Sequence, residues 1–302
     1  MKKFIILVFL IVTSLDLYAQ KVNFESSPIE LKSGDKLAIV MVHFGSTNTQ
    51  SRANYEAINS MVADKYSEAD VFEAYSSRIV INLLKKQGVE KQTPAQLLRE
   101  LIAKGYTHLV VQSTHIIDGV EMESLREDVR AVSEQFETVR VGNPLLYSAE
   151  DYKRVAEILT QEIEPQGDAT ILVGHGTYTP ITASYTMMDY VLKFKGYDNW
   201  YVATIEGYPT IDEAIELLDR GGYKSVTLAP FMYIAGVHAQ DDIAGEWKEA
   251  LEERGYTVEL QLKGMGESKE IQSLIVEHID FAIENKHLNI MDKKKKYANE
   301  DD

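Results

Sequence analysis

Seven histidines and no cysteine set the chemistry open to this 302-residue chain. Disulfides, thiolate metal centres and cysteine nucleophiles are excluded together, so any metal must be held by imidazole and carboxylate. The stretch Leu228–Trp247, LAPFMYIAGVHAQDDIAGEW, leaves an apolar strand through Pro230 and Gly236. It then presents His238 and continues past Asp241 and Asp242 into a helix. One histidine is not a site, and its partners must come from other strand ends. Candidates there are His175 in VGHGT, Glu206 in IEGYP, and His43, His115 and Glu121 in the first half. Each has a plainer reading. A His-Gly pair is commonly a turn with a satisfied imidazole, Glu206 suits a cap of the Tyr208-Pro209 turn, and Glu121, Asp241 and Asp242 are acids favoured at helix N-termini. His108 lies inside a strand, and His278 and His287 belong to the terminal helix and its exit, so these read as structural or solvated. No histidine pair has the i, i+4 spacing of a helical zinc motif, and no Gly-rich phosphate loop indicates a nucleotide.

The elements that must position these residues alternate. A nearly continuous apolar run of strand length at 36–44 predicts a parallel strand buried on both faces, and further strand patterns follow at 69–75, 107–112 and 138–141, then 169–173, 200–204, 225–228 and 257–261. Helical patterns fill the intervals, several opened by a capping residue such as Thr93 before Pro94, or Thr210 before Ile211. The helix of the first half nearest Glu121 is expected to run from there to Gln135. Strand–helix alternation implies two α/β domains, each a parallel four-stranded sheet flanked by helices, with right-handed crossovers. The expected divisions are 36–147 and 148–287, with the terminal helix able to pack back on the first domain, an N-terminal extension at 20–35 and a flexible tail at 288–302.

The two halves can be superposed as sequence. Shifting Thr93–Glu121 by 117 positions lays it on Thr210–His238, so that Gly105 meets Gly222, Tyr106 meets Tyr223, Gly119 meets Gly236 and Glu121 meets His238. Both last residues then lie just past the carboxyl ends of strands, where open α/β sheets place their ligand sites.

A formal charge of −16 and no compensating basic stripe argue against nucleic-acid partners. Residues 1–19 read as a secretory signal peptide: Lys2 and Lys3, an apolar run Phe4–Val12, and Leu17-Tyr18-Ala19 before Gln20. That run is well short of the roughly 20 apolar residues of a membrane span, so the expectation is a periplasmic protein with no stable membrane anchor. Cleavage after Ala19 would leave a net charge of −17.

The pieces VGHGT, IEGYP and APFMYIAGVHAQDDIAGEW, together with Ser77-Arg78 and VQSTHIIDGVEME, closely resemble the anaerobic-type sirohydrochlorin cobaltochelatases within the class II tetrapyrrole chelatases. The resemblance runs from about Lys36 to Glu284. It implies two similar α/β domains with the active site in the cleft between them. It further implies ATP-independent insertion of a divalent metal, usually Co2+, into a reduced tetrapyrrole of the anaerobic cobalamin pathway. The metal is substrate here and no organic cofactor is implied. Carried over residue by residue, the family's metal-binding histidines fall on His175 and His238, its site glutamate on Glu206 and its further cleft acid on Glu121. Imidazole and carboxylate suit Co2+, Fe2+ and Ni2+ alike, so the ligand types leave the metal open. For a polycarboxylate substrate, Arg52, Arg78, Ser46, Thr47 and His115 are candidate contacts at strand ends and near the helix N-terminus after Gly45. Tyr178, Phe231 and Tyr233 are aromatic candidates for stacking on a macrocycle. A periplasmic metal or tetrapyrrole carrier without turnover is the competing expectation, and a homo-oligomer is one option the sequence leaves open.

Overall fold

The computed structural model describes residues 24–236 and 239–300; the expected signal peptide and His238 lie outside the described residues. The first half comprises β1 (Phe24–Ser26), β2 (Leu37–His43), α1 (Thr49–Lys65), β3 (Ala69–Tyr75), α2 (Arg78–Lys86), α3 (Pro94–Ala103), β4 (His108–Ser113), α4 (Val120–Arg130) and β5 (Thr138–Val141). The second comprises α5 (Ala149–Glu162), β6 (Ala169–Gly174), α6 (Ala183–Phe194), β7 (Trp200–Thr204), α7 (Ile211–Gly221), β8 (Ser225–Pro230), a π-helical stretch Ala239–Trp247, α8 (Lys248–Glu253), β9 (Thr257–Leu260), α9 (Lys269–Glu284), β10 (Asn285–His287) and α10 (Ile290–Glu300).

Two parallel four-stranded sheets result, ordered β3-β2-β4-β5 and β7-β6-β8-β9, the same topology twice. Strand alternation explains how each sheet serves two cores. From β2, Leu37, Ile39 and Met41 face a core shared with the second half, including Leu172, Tyr185 and Ile275, whereas Ala38, Val40 and Val42 face α3 and α4. In the second sheet Leu172 points into the shared core, while Ala169, Ile171 and Val173 pack under α7 and the π-helical stretch. The helix starts follow their caps: Thr93, Ser148 and Thr210 each form a capping box, and Ser268 accepts from Ile271 N.

Helix α9 returns to the first half and packs on β4 and β5. Tyr66 donates to Asp280 Oδ1 at 2.8 Å, Lys65 pairs with the same carboxylate, and His278 lies 3.2 Å from Asp151 Oδ1 and 3.3 Å from Asn143 O. The chain then forms β10, which pairs antiparallel with β1, Phe24 opposite His287. The structure differs from the sequence reading at three places. The helix after Glu121 breaks into α4 and a 3-10 turn, Ser133–Gln135, where Val132 and Phe136 turn into the core. The segment after His238 winds as a π-helix before becoming regular at Lys248. The expected tail carries α10, a run without Gly or Pro whose Ile290, Met291 and Tyr297 remain exposed. No helix among the described residues is long and apolar enough to cross a membrane.

Candidate functional site

In the second sheet the turns after β6 and β7 are bonded to each other. Ile205 N donates to Gly174 O at 3.0 Å and Glu206 N to His175 O at 2.7 Å, which sets His175 and Glu206 side by side past the carboxyl ends of neighbouring strands. Only glycine permits this. Gly176 has φ +90°, and a Cβ there would lie 1.8 Å from Glu206 O. Tyr185 Oη, from α6, accepts from Gly176 N at 3.1 Å and anchors the turn from below. The His175 ring is half-buried, with Nδ1 3.2 Å from Gly176 O. A carbonyl can only accept, so this contact is a hydrogen bond when Nδ1 carries the proton, the tautomer that leaves the lone pair on Nε2. Glu206 is exposed.

The loop after β8 is the third edge of this site. Phe231 N donates to Val173 O at 2.7 Å, and Phe231 and Tyr233 are buried. Tyr233 stacks on Tyr55 of α1, ring centroids 5.8 Å apart and planes 3° from parallel, and Ser51 Oγ lies 3.5 Å from Ala235 O. The loop that leads to His238 is thereby docked on the first half as far as Ala235. Of the three aromatic candidates for macrocycle contact, only Tyr178, 89% exposed, is on the surface.

The first half repeats the same scaffold with different side chains. Ser76 N donates to His43 O and Ser77 N to Phe44 O, Gly45 has φ +106°, and Tyr55 Oη lies 3.3 Å from Gly45 N. By this correspondence Phe44 takes the place of His175, and Ser77 that of Glu206. His43 does not face the cleft: its ring is fully buried, stacked on Tyr55 at 4.1 Å, with Nδ1 3.0 Å from Thr114 Oγ1 and Nε2 3.1 Å from Asn59 Oδ1. Burial drives its pKa down to about 3, the bond to Asn59 opposing and His115 and Lys91 reinforcing.

Around the mouth of the first half, Ser76, Arg78, Thr93, Glu121 and Asp128 line one depression. Glu121 stands in the first turn of α4. His115 Nε2 lies 3.3 Å from Ser76 Oγ, while Nδ1 is buried without a partner. Burial lowers its pKa to about 4, against the pull of Glu121. Between the halves, a Cβ on Gly119 would lie 3.8 Å from Ile181 Cγ2, so the start of α4 abuts the turn that follows His175. Arg78 is exposed and makes no ion pair among the described residues. Arg52 is engaged differently: it donates to Ser46 O at 3.3 Å, Thr47 O at 2.9 Å and Thr49 Oγ1 at 3.1 Å, bracing the loop after Gly45. Ser46 is buried and its Oγ accepts from Asn48 N at 3.2 Å. The sequence gives no sign of the Tyr55–Tyr233 stack or the Ser76–His115 contact, because each joins residues from separate elements.

A family model described as cobalt chelatase (CbiK) matches residues 37–284. The chain is 30% identical over 256 residues to a sirohydrochlorin cobaltochelatase of Salmonella typhimurium, covering 82% of this chain and 97% of that protein. It is also 30% identical over 258 residues to sirohydrochlorin cobaltochelatase CbiKC of Nitratidesulfovibrio vulgaris, covering 82% and 91%. Among solved structures, SirB from Bacillus subtilis with Fe3+ superposes with a TM-score of 0.61 at 16% identity, over 82% of this chain and 96% of that one. The sirohydrochlorin chelatase SirB from Bacillus subtilis subspecies spizizenii in complex with cobalt gives 0.58 at 12%, over 82% and 96%. The structural likeness extends the shared fold across the cleft, and the sequence match reaches every strand of both sheets: the chain belongs to the cobalt chelatase (CbiK) family.

Proposed function

We propose that this protein inserts a divalent metal ion, Co2+, into sirohydrochlorin, without ATP, in the cleft between its two sheets, and that it does so after export. The observation that carries the site is the bonded pair of turns that fixes His175 beside Glu206. Family membership and the names of the relatives support the substrate; Lys2, Lys3 and the apolar run after them support export.

His175, through Nε2, and Glu206 are the first metal contacts, with His238 completing the set. An incomplete ring of protein ligands leaves positions for exchange, as delivery to a macrocycle requires, whereas a closed tetrahedral site would retain the ion. Insertion also releases the pyrrole N–H protons, so a base must lie within hydrogen-bond reach. Glu206 and Glu121 are the carboxylates on the two sides of the cleft suited to receive them. His115, held neutral by burial, offers a hydrogen bond rather than a charge. Arg78 supplies positive charge for substrate carboxylates at the rim, and the Ser46–Thr47 loop, braced by Arg52, supplies backbone contacts.

The test is absorbance-monitored conversion of sirohydrochlorin with Co2+, Fe2+ or Ni2+ in the absence of nucleotide. Turnover is expected, fastest with Co2+, and His175→Ala should slow it by about 100-fold or more. Stoichiometric binding without insertion would overturn the enzyme reading in favour of a carrier, and undiminished insertion by His175→Ala would overturn the site.

A further inference from the structure

At the opposite end of the first sheet, three strands bring together a set of side chains that the cleft chemistry does not use. Asp35 precedes β2, His108 opens β4 and Glu137 precedes β5. These strands are adjacent, with Leu37 opposite His108 and His108 opposite Thr138, so the register places the three residues in a row across the strand starts. One ligand-capable atom from each lies within 4.8 Å of the other two. We propose that Asp35, His108 and Glu137 form a second divalent-metal site, separate from the cleft, that ties the amino ends of β2, β4 and β5 together.

The donor chemistry suits a first-row divalent ion. One imidazole and two carboxylates neutralise a dipositive charge and are accepted by Co2+, Zn2+, Fe2+ or Ni2+. His108 is 4% exposed; its Nδ1 lies 2.8 Å from Thr107 Oγ1, which fixes the ring's orientation, and 4.0 Å from Asp35 Oδ2, so the ring is already turned toward one of the two acids. Among the described residues Nε2 makes no hydrogen bond, and neither Asp35 nor Glu137 has a Lys or Arg partner; the Lys36 amine is directed to Lys104 O. Two carboxylates thus converge without a cation in an acidic protein. Asp35 is partly buried and accepts from Lys32 N at 2.7 Å, so it is held in place, whereas Glu137 is exposed and can swing. Tetrahedral ligands at about 2.1 Å from a metal are about 3.4 Å apart, a contraction that rotation of Glu137 supplies. Seven residues of β2 separate this cluster from the cleft, roughly 20 Å, so the two sites would load independently.

Equilibrium dialysis of the full chain against Co2+ and, separately, Zn2+ tests this. Asp35→Asn and Glu137→Gln are near-isosteric and close to the surface, and circular dichroism verifies their folding. Each should bind one equivalent of metal fewer than the unaltered protein, whatever the cleft retains, while inserting Co2+ into sirohydrochlorin at the same rate. The Zn2+-induced rise in Tm should persist in part in His175→Ala and be smaller in Glu137→Gln than in the unaltered protein. Equal stoichiometry in Glu137→Gln and the unaltered chain would overturn the site, leaving His108 as an imidazole lodged between two acids.

Discussion

His43 and Tyr233 show how much of the cleft depends on side chains that never reach it. Both belong to the aromatic column that crosses from the first half to the loop after β8. The Tyr233 hydroxyl is buried without a partner, so its polarity costs stability while its ring contributes packing. Tyr233→Phe should therefore be as stable as the parent or more so in urea, and insert metal normally. Tyr233→Ala should lose about 3–5 kcal/mol and, if still folded, show a raised KM, because the loop leading to His238 would lose its dock. His43 adds a pH dependence. Its folded pKa, about 3, lies below the unfolded value, so the unfolded chain binds more protons between about 6.5 and 3. Its contribution is complete above pH 6.5 and lost as pH falls through that window, at most about 1.4 kcal/mol per unit. Glu73, 3.9 Å away, does not reverse this, because it is already paired with Lys91 and Asn59. In His43→Gln the fall of Tm between pH 6.5 and 4 should be shallower than in the parent; an identical slope would show that other groups set it.

At the scale of elements, the functional unit is a pair of neighbouring turns rather than a single loop. Gly176→Ala tests it: with φ +90° and Glu206 O in the way, the turns must separate. Insertion should fall by at least about tenfold while the sheet, followed by far-ultraviolet circular dichroism, stays intact. The turn pairs also explain what the sequence displays and what it hides. Apolar runs mark the central strands and alternating patterns the edge strands of the two sheets, and Thr93, Ser148, Thr210 and Ser268 announce their helices, because strand burial and capping are local in cause. His175 and Glu206 are legible as strand-end residues for the same reason. What escapes is whatever needs a second element: the burial of His43 under Tyr55, the commitment of Arg52 to Ser46 and Thr47, and the meeting of Asp35, His108 and Glu137. The three-residue strands β1 and β10, Phe-Glu-Ser and Asn-Lys-His, carry no strand signature, since each is defined by its partner. The 117-residue sequence shift is matched by two sheets of one topology, and the structure adds that only the second copy has His and Glu at the first two turns.

For the whole molecule, the shared core and the returning α9 make the halves interdependent. Residues 24–147 alone would expose the face of β4 and β5 that α9 covers, and with it Ile39, Met41 and Val110 of the shared core. Such a fragment should fail to give a cooperative thermal transition, and deletion from Ser268 onward should abolish one in the full chain. Retention of a sharp transition by either would show that the first half carries a sufficient core of its own. The return of α9 has a mechanical consequence as well. The halves are joined by the backbone between β5 and α5, and again by α9 with its β10–β1 clasp. A body held by two straps keeps one soft rotation, about the line through both, and resists twist and shear. The shared core lies on this side as well, so any opening at the strand ends turns about the twice-strapped side and does not slide one half past the other.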